Sequence, residues 1–201
     1  VRNYHAQSGA TILIVSHSME DISQIADRLL VMDHARVLFC DTPREVFSHA
    51  DEIVAAGLDI PMITKVMIEL KKRGHDVDTS VYTVAQALDA LRACKEAYIV
   101  RGNNDKEWAR DLPHSLRFTL EGVRFFLVHD KKDVPGDLTG VDVIVCGHSH
   151  RYSDEERDGV LRLNPGSCGR RRFRQEITFC MMEASQGRYR VEKILIPHGE
   201  A

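Results

Sequence analysis

The chain has 201 residues, of which 43% are hydrophobic and 28% are charged, and its formal net charge is −3. This composition is typical of a globular protein with a buried core, and the negative charge argues against a nucleic-acid scaffold, which is usually basic. No apolar run approaches the roughly 20 residues that span a bilayer, so we expect no transmembrane segment.

The cysteines and the N-terminus predict the compartment. The five cysteines are scattered and never spaced as C-x-x-C, which favours reduced thiols and a cytoplasmic location over a disulfide framework. The N-terminus has no signal-peptide pattern. It also begins with Val1 rather than Met, which predicts that the chain starts inside a longer protein.

The first ninety residues carry mostly helix signals. Residues 10–16 ("ATILIVS") are an apolar run typical of a buried strand, and Ser18 with Asp21 three residues later predicts a helix start. Residues 28–41 ("RLLVMDHARVLFCD") predict two strands around a turn at Asp33–Ala35. Caps and apolar spacing predict three further helices: one that begins at Thr42, one over Ile60–Arg73, and one that begins at Thr83.

The remaining residues read mainly as strands. "AYIV" predicts a strand that ends in "RGNND", and "SLRFTLEGVRFFLVHD" predicts a hairpin that turns at Glu121–Gly122. "VDVIVCG" and "GVLRLNPGS" each predict a buried strand, and residues 176–196 predict a hairpin around Ser185–Gly187.

Five polar side chains follow these strands directly, and they are Asn103, His129, His148, His150 and Asn164. Residues at the carboxyl ends of neighbouring strands tend to meet a ligand. Imidazole nitrogens and amide oxygens suit divalent Mn, Fe, Ni or Zn better than calcium. The sequence therefore predicts a metal site at these strand ends.

The motifs "GNND", "LVH", "GHSH" and "LNPGS", in this order, resemble the C-terminal motifs of the calcineurin-like metallophosphoesterases, in particular the small phosphodiesterase branch. The resemblance covers roughly residues 95–198. It implies that Asn103, His129 and His148 bind one divalent metal and that His150 binds a second. In that family the metal pair activates a water molecule that attacks phosphorus.

Two further features bear on the implied substrate. Asn104 stands where many members of that family carry a histidine that assists the leaving group, which implies a preference for phosphodiesters with good leaving groups. Arg170, Arg171 and Arg172 follow the "NPGS" loop and are candidate ligands of a substrate phosphate, with a solvated basic loop as the alternative.

The front end of that family has no counterpart in this sequence. It begins with D-x-H after its first strand and supplies a further bridging Asp, whereas no Asp in this chain is followed two residues later by His. The nearest stand-in places His17 and Met19 at these positions. The resemblance therefore implies an incomplete two-metal site and an impaired hydrolase.

Residues 10–91 instead resemble the final segment of ABC-transporter ATPases, and "GLDIPMITKVMIELKKRGHDVDTSVYTVAQAL" resembles the C-terminal extension of the energy-coupling-factor subgroup. His17 matches its switch histidine, which senses the γ-phosphate. The sequence has no G-x-x-x-x-G-K-[ST] loop, signature motif or Walker B acid, so we expect no ATP binding or hydrolysis. This resemblance implies docking to a membrane transporter subunit, at the inner face of the membrane.

We therefore expect an α/β chain with two incomplete parts, joined near residues 88–96. Residues 1–92 would be a partial ABC-ATPase αβ segment, and residues 93–201 the strand-rich half of a metallophosphoesterase β-sandwich. Three interpretations remain open: an impaired phosphodiester hydrolase, an ATPase fragment of a transporter, and a fusion or truncation product without activity. A half-sheet also exposes strand edges, which predicts homo-oligomers.

Overall fold

A computed structural model describes residues 1–16, 18–93, 96–105, 107–169 and 174–197. The chain divides into two compact units: an N-terminal unit up to residue 95 and a C-terminal unit that begins at Glu96. The N-terminal unit contains a β-hairpin and mostly helices, and the C-terminal unit consists mainly of strands. The α/β fold class predicted from the sequence is confirmed.

The N-terminal unit contains six helices and two strands among its described residues. In chain order they are α1 (Arg2–Ser8), α2 (Met19–Ile25), β1 (Leu29–Asp33), β2 (Arg36–Asp41), α3 (Pro43–Ser48), α4 (Ala50–Ala55), α5 (Met62–Lys72) and α6 (Val84–Arg92).

Helix caps fix the starts of α2, α3 and α6. Ser18 accepts a hydrogen bond from the backbone N–H of Asp21, and Thr42 accepts one from Glu45, each at 3.3 Å. Thr83 closes a capping box at the start of α6. These starts confirm the sequence prediction, and so does the β1–β2 hairpin.

The apolar run over residues 10–16 forms no strand, so that prediction is wrong. Leu13 and Val15 are 86% and 90% exposed. An apolar run becomes a strand only where a neighbouring strand pairs with its backbone, and β1 and β2 pair with each other in a two-stranded sheet. The buried residues of this unit form two clusters instead. One comprises Leu29, Val46, Phe47, Ala50, Ile53 and Ile60, and the other comprises Met67, Val81 and Ala87.

The described part of the C-terminal unit contains seven strands and two short 3₁₀ turns. The strands are β3 (Ser115–Leu120), β4 (Val123–Val128), β5 (Val143–Cys146), β6 (Ser153–Arg157), β7 (Val160–Asn164), β8 (Thr178–Ser185) and β9 (Arg188–Leu195). The 3₁₀ turns cover Glu107–Ala109 and Lys131–Asp133.

Strand direction decides which side chains meet. Strands β3 to β7 form one sheet in the order β3-β4-β5-β7-β6, in which β4, β5 and β7 run parallel. Their last residues, Val128, Cys146 and Asn164, therefore lie at one edge of the sheet. The segments that follow them begin with His129, Gly147 and Pro165 at that same edge.

Both faces of this sheet are covered, as the near-continuous apolar sequences of β4 and β5 require. On one face Phe125, Val143 and Leu163 pack against partly buried residues of the β8–β9 hairpin, such as Met182 and Val191. On the other face Phe126 and Ile144 pack beside Val134 and Leu138. The arrangement is a small sandwich of two sheets, and both predicted hairpins are confirmed.

Two predictions for this unit need correction. "AYIV" (residues 97–100) is not a strand. Its Tyr98 ring instead stacks on Phe118 with the ring centroids 3.8 Å apart. Strand β6 was not predicted, because its sequence "SDEER" is polar and mostly exposed and has no apolar alternation. None of the helices in the described parts of the chain is long and apolar enough to cross a membrane.

Candidate metal centre

Three of the predicted ligands converge at the edge of the sheet where β4 and β5 end. The Oδ1 atom of Asn103 lies 2.8 Å from Nε2 of His129, and Nδ1 of His148 lies 3.3 Å from the same Nε2. The two imidazole rings meet edge to face, with centroids 5.3 Å apart. Nε2 of His129 thus lies within 3.3 Å of two further atoms, an amide oxygen and an imidazole nitrogen, that can each bind a metal ion.

The spacing of these donors fits a common metal ion. Ligand atoms about 2.1 Å from a metal, at tetrahedral or right angles, are about 3.0 to 3.4 Å apart. The observed separations of 2.8 and 3.3 Å are close to this range. A proton on Nε2 of His129 can bridge the same atoms, so metal binding and protonation compete there. The residues present therefore fit a divalent ion with nitrogen and oxygen ligands.

The loop "GNND" is held against His129 by its own hydrogen bonds. The backbone N–H of Gly102 donates to the Asp105 carboxylate at 2.7 Å, which closes the loop and presents Asn103. A Cβ atom added at Gly102 would lie 3.1 Å from both Nδ1 and Cε1 of His129. Glycine at this position lets the loop approach the imidazole ring closely.

Asn164 holds the turn that carries the second histidine motif. Its side-chain amide donates to the carbonyl oxygen of Gly147 at 2.8 Å and to the Ser149 hydroxyl at 3.0 Å, and it accepts from Gly166. His148 and His150 both adopt left-handed backbone conformations, with φ of 63° and 57°. Such conformations are uncommon for residues other than glycine and persist where surrounding contacts hold them.

Asn164 was grouped with the ligands in the sequence analysis, but the structure gives it a different role. It is only 5% exposed, and three hydrogen bonds to the 147–149 turn and to Gly166 engage its side chain. It is therefore a positioning residue for His148. Its location at the end of a buried strand, before Pro165 and Gly166, was the signal for a turn.

Asp130 was missed in the sequence analysis. Its carboxylate lies 3.6 Å from Nε2 of His148, on the ring edge opposite to the Nδ1 atom that faces His129. The backbone N–H of Lys132 donates to this carboxylate and holds its pKa below the usual value, and the nearby His148 lowers it further. An ionised carboxylate at this place puts a negative charge beside the Nε2 edge of the His148 ring, at a separation longer than a hydrogen bond. Its position directly after His129 could have indicated it.

His150 was assigned to a second metal ion, separate from the ion of His129 and His148, and that assignment stays a prediction. Among the described residues, no three His, Cys, Asp or Glu side chains are close enough to hold one metal ion. Of the described candidate ligands, two histidines and one asparagine form the cluster, and His150 lies two residues further on with its side chain half-buried. Burial raises the pKa of the neighbouring Cys146 thiol, which disfavours the thiolate form that binds metals.

The remaining predicted site residues are His17, Arg170, Arg171 and Arg172, and they fall outside the described residues.

Beside Asn103 and His129 there is a cleft of about 690 Å³, whose other walls include Arg101, Arg110 and His114.

Comparison with known families gives one match over most of the chain. The profile of the calcineurin-like phosphoesterase superfamily domain matches residues 34–187. The match begins in the N-terminal unit and runs through all the motifs of the metal centre. The boundary near residues 88–96 therefore stays a prediction.

Curated relatives come from a second family. The chain is 36% identical over 104 residues to the energy-coupling factor transporter ATP-binding protein EcfA2 of Clostridium perfringens, a match that covers 52% of this chain and 35% of that protein. It is 39% identical over 87 residues to EcfA2 of Symbiobacterium thermophilum, covering 43% and 30%. The chain thus spans about a third of the length of these relatives.

Solved structures similar to this chain include the phosphoesterase YfcE of E. coli, with 25% identity, a TM-score of 0.41, and coverage of 58% of this chain and 73% of that one. They also include the Vps29 of Entamoeba histolytica solved with Zn²⁺, with 21% identity, a TM-score of 0.42, and coverage of 56% and 76%.

Proposed function

This chain belongs to the calcineurin-like phosphoesterase superfamily, and from that premise we propose that it is a metal-dependent hydrolase of small phosphodiesters. The observation that carries the proposal is the convergence of Asn103, His129 and His148. Nε2 of His129 lies 2.8 Å from Oδ1 of Asn103 and 3.3 Å from Nδ1 of His148. The proposed metal is a divalent Mn, Fe, Ni or Zn ion, because nitrogen and amide oxygen donors suit these ions.

In this proposal the chain's own residues hold and orient the metal ligands. Asn103 and the two imidazoles bind the ion, Asp130 places a negative charge beside His148, and Asn164 fixes the turn that carries His148. A bound divalent ion would lower the pKa of water and neutralise phosphate oxygens. Asn104 occupies the place of a leaving-group acid without a titratable proton, which favours phosphodiesters with good leaving groups over phosphomonoesters.

The second metal site is the weak part of this proposal. His150 is the one residue assigned to it, and the sequence has no D-x-H motif to complete it. A two-metal mechanism needs the pair for both the nucleophile and charge neutralisation, so we expect a rate well below that of a complete enzyme.

The test is hydrolysis of bis(p-nitrophenyl) phosphate by the full chain, with Mn²⁺ or Zn²⁺ and with a chelator. We expect slow metal-dependent turnover that His148→Ala abolishes and His75→Ala leaves unchanged, since His75 is exposed and belongs to the N-terminal unit. Turnover without metal, or turnover that survives in the His148→Ala variant, would contradict the proposal.

A second candidate function rests on the 36% identity to a transporter ATP-binding protein. In this proposal the N-terminal unit derives from the C-terminal segment of an energy-coupling-factor ATPase and docks on a membrane subunit at the cytoplasmic face. Because these residues contain no phosphate-binding loop, we expect no binding of a fluorescent ATP analogue. Micromolar binding of the analogue would overturn this expectation.

A further inference from the structure

An arginine and a histidine form part of the wall of the cleft that lies beside the metal centre. Arg101 and His114 both line this cleft, as do Asn103 and His129. The backbone N–H of Arg101 donates to the carbonyl oxygen of Pro113 at 2.9 Å, which fixes the "RGNND" segment to the residues just before β3. Arg101 precedes Asn103 by two residues in this segment.

The contact between these two side chains defines how each can bind an anion. A guanidinium nitrogen of Arg101 lies 3.0 Å from Nε2 of His114. A guanidinium group only donates hydrogen bonds, so Nε2 of His114 accepts and the ring proton sits on Nδ1. The pair thus keeps four guanidinium N–H groups and one imidazole N–H as further donors.

Four carboxylates line the same cleft, and three of them, all except Asp133, contact other groups. Asp105 accepts from Gly102, Asp130 faces His148, and Glu107 lies 3.7 Å from Arg110. Among the described residues, none of the ion pairs involves Arg101. Arg101 is thus a cation without a carboxylate partner in that part of the chain, in a cleft of about 690 Å³.

From this geometry we infer that Arg101, with His114 beside it, is an anion subsite that binds the phosphoryl oxygens of the substrate next to the metal ligands. A planar guanidinium binds two oxygens of a phosphoryl group through parallel hydrogen bonds. The inference rests on the proposed function, because it assigns the substrate contact of that hydrolase. It differs from the sequence-based hypothesis, which placed this contact on Arg170, Arg171 and Arg172.

Binding of inorganic phosphate to the metal-free full chain tests the subsite separately from catalysis. The dissociation constant can be measured by ³¹P line broadening for the unmodified chain and for Arg101→Ala. We expect affinity to fall about tenfold or more in the variant, because a charged hydrogen-bonding partner is lost. The matched control is Arg157→Ala, which removes an exposed arginine of β6 that pairs with Glu155. The control should bind phosphate as the unmodified chain does.

A second variant covers the case in which Arg101→Ala fails to fold. Arg101→Lys keeps the charge but loses the planar pair of donors, so we expect an intermediate affinity. The subsite is overturned if the metal-free chain does not bind phosphate, or if the folded Arg101 variants bind it as tightly as the unmodified chain. Metal titrations without phosphate report on the proposed function alone, so the two failures are distinguishable.

Discussion

The Oδ1 atom of Asn103 lies 2.8 Å from Nε2 of His129, although the two residues are 26 positions apart in the chain. His148 lies on the turn after the neighbouring parallel strand, and its Nδ1 atom lies 3.3 Å from the same Nε2 atom of His129. This arrangement depends on the parallel pairing of β4 and β5, which brings their carboxyl ends to one edge. The account of this protein as a metallophosphoesterase rests on that convergence.

Gly102→Ala tests how closely the "GNND" loop must approach His129. The added Cβ would lie 3.1 Å from two atoms of the imidazole ring, so the ring must shift by a few tenths of an ångström. We expect metal affinity, measured by calorimetric titration, to fall severalfold while the fold is retained. Gly136→Ala is the matched control, because its Cβ would meet nothing within 4 Å. Equal metal affinity in both variants would show that the close approach has no role.

Asn164→Ala tests the support of the histidine turn. The substitution leaves the Gly147 carbonyl and the Gly166 N–H without their side-chain partner, which should lower the free energy of unfolding by about 1–3 kcal/mol. Metal affinity should also fall, by about 10-fold to 100-fold, because His148 loses its fixed orientation. Ser149→Ala removes a single acceptor of the same amide and should have a smaller effect on both measurements. A stability loss with unchanged metal affinity would limit Asn164 to a purely structural role.

Asp142→Asn tests an electrostatic contribution to stability. Hydrogen bonds from the Arg124 guanidinium and backbone N–H hold the pKa of the Asp142 carboxyl below 3.8. A carboxyl group whose pKa is lower in the folded than in the unfolded state stabilises the fold at pH values above its unfolded-state pKa. This stabilisation is lost as the pH falls through the folded-state pKa. We therefore expect Asp142→Asn to lower the urea midpoint at pH 7 and to lose this effect as the pH falls below about 3.8.

The exposed Asp111 supplies the control for that measurement. Asp111→Asn should leave the urea midpoint nearly unchanged at both pH values. A midpoint difference between Asp142→Asn and the unmodified chain that persists undiminished at pH 2.5, well below about 3.8, would contradict the assignment to the carboxylate.

Asn104→His tests the expected preference for phosphodiesters. A histidine at this exposed position next to Asn103 would supply a proton to a poor leaving group. We expect the ratio of p-nitrophenyl phosphate to bis(p-nitrophenyl) phosphate hydrolysis to rise by about 10-fold or more. Asn104→Gln should leave the ratio unchanged, and a rise with glutamine would mean that size rather than proton transfer sets the preference.

The sequence predicted elements whose signals are local. The hairpin of β3 and β4 follows from alternation at Leu116, Phe118 and Leu120 and from the Glu121–Gly122 turn, where both residues have positive φ. The helix caps follow in the same way. The strands predicted at residues 10–16 and 97–100 failed because strand formation depends on a pairing partner, which is a property of tertiary structure.

The candidate site was predictable in its ligands but not in its supports. Asn103, His129 and His148 each follow an apolar segment, so their type and position were visible in the sequence. The roles of Asp130 and Asn164 depend on contacts of 3.6 and 2.8 Å across the sheet edge, and spacing along the chain does not encode these distances. His150 was predicted from the same motif as His148 and assigned to a second metal; it is half-buried whereas His148 is exposed, and its role stays a prediction.

The most direct measurement of the central claim is calorimetric titration of the full chain with Mn²⁺ and Zn²⁺, together with Asn103→Ala and its neighbour Asn104→Ala. The account predicts a single divalent ion per chain, an affinity at least about tenfold weaker in Asn103→Ala because a first-row metal loses an oxygen ligand, and no change in Asn104→Ala. No binding by the unmodified chain, or equal binding by both variants, would contradict the account.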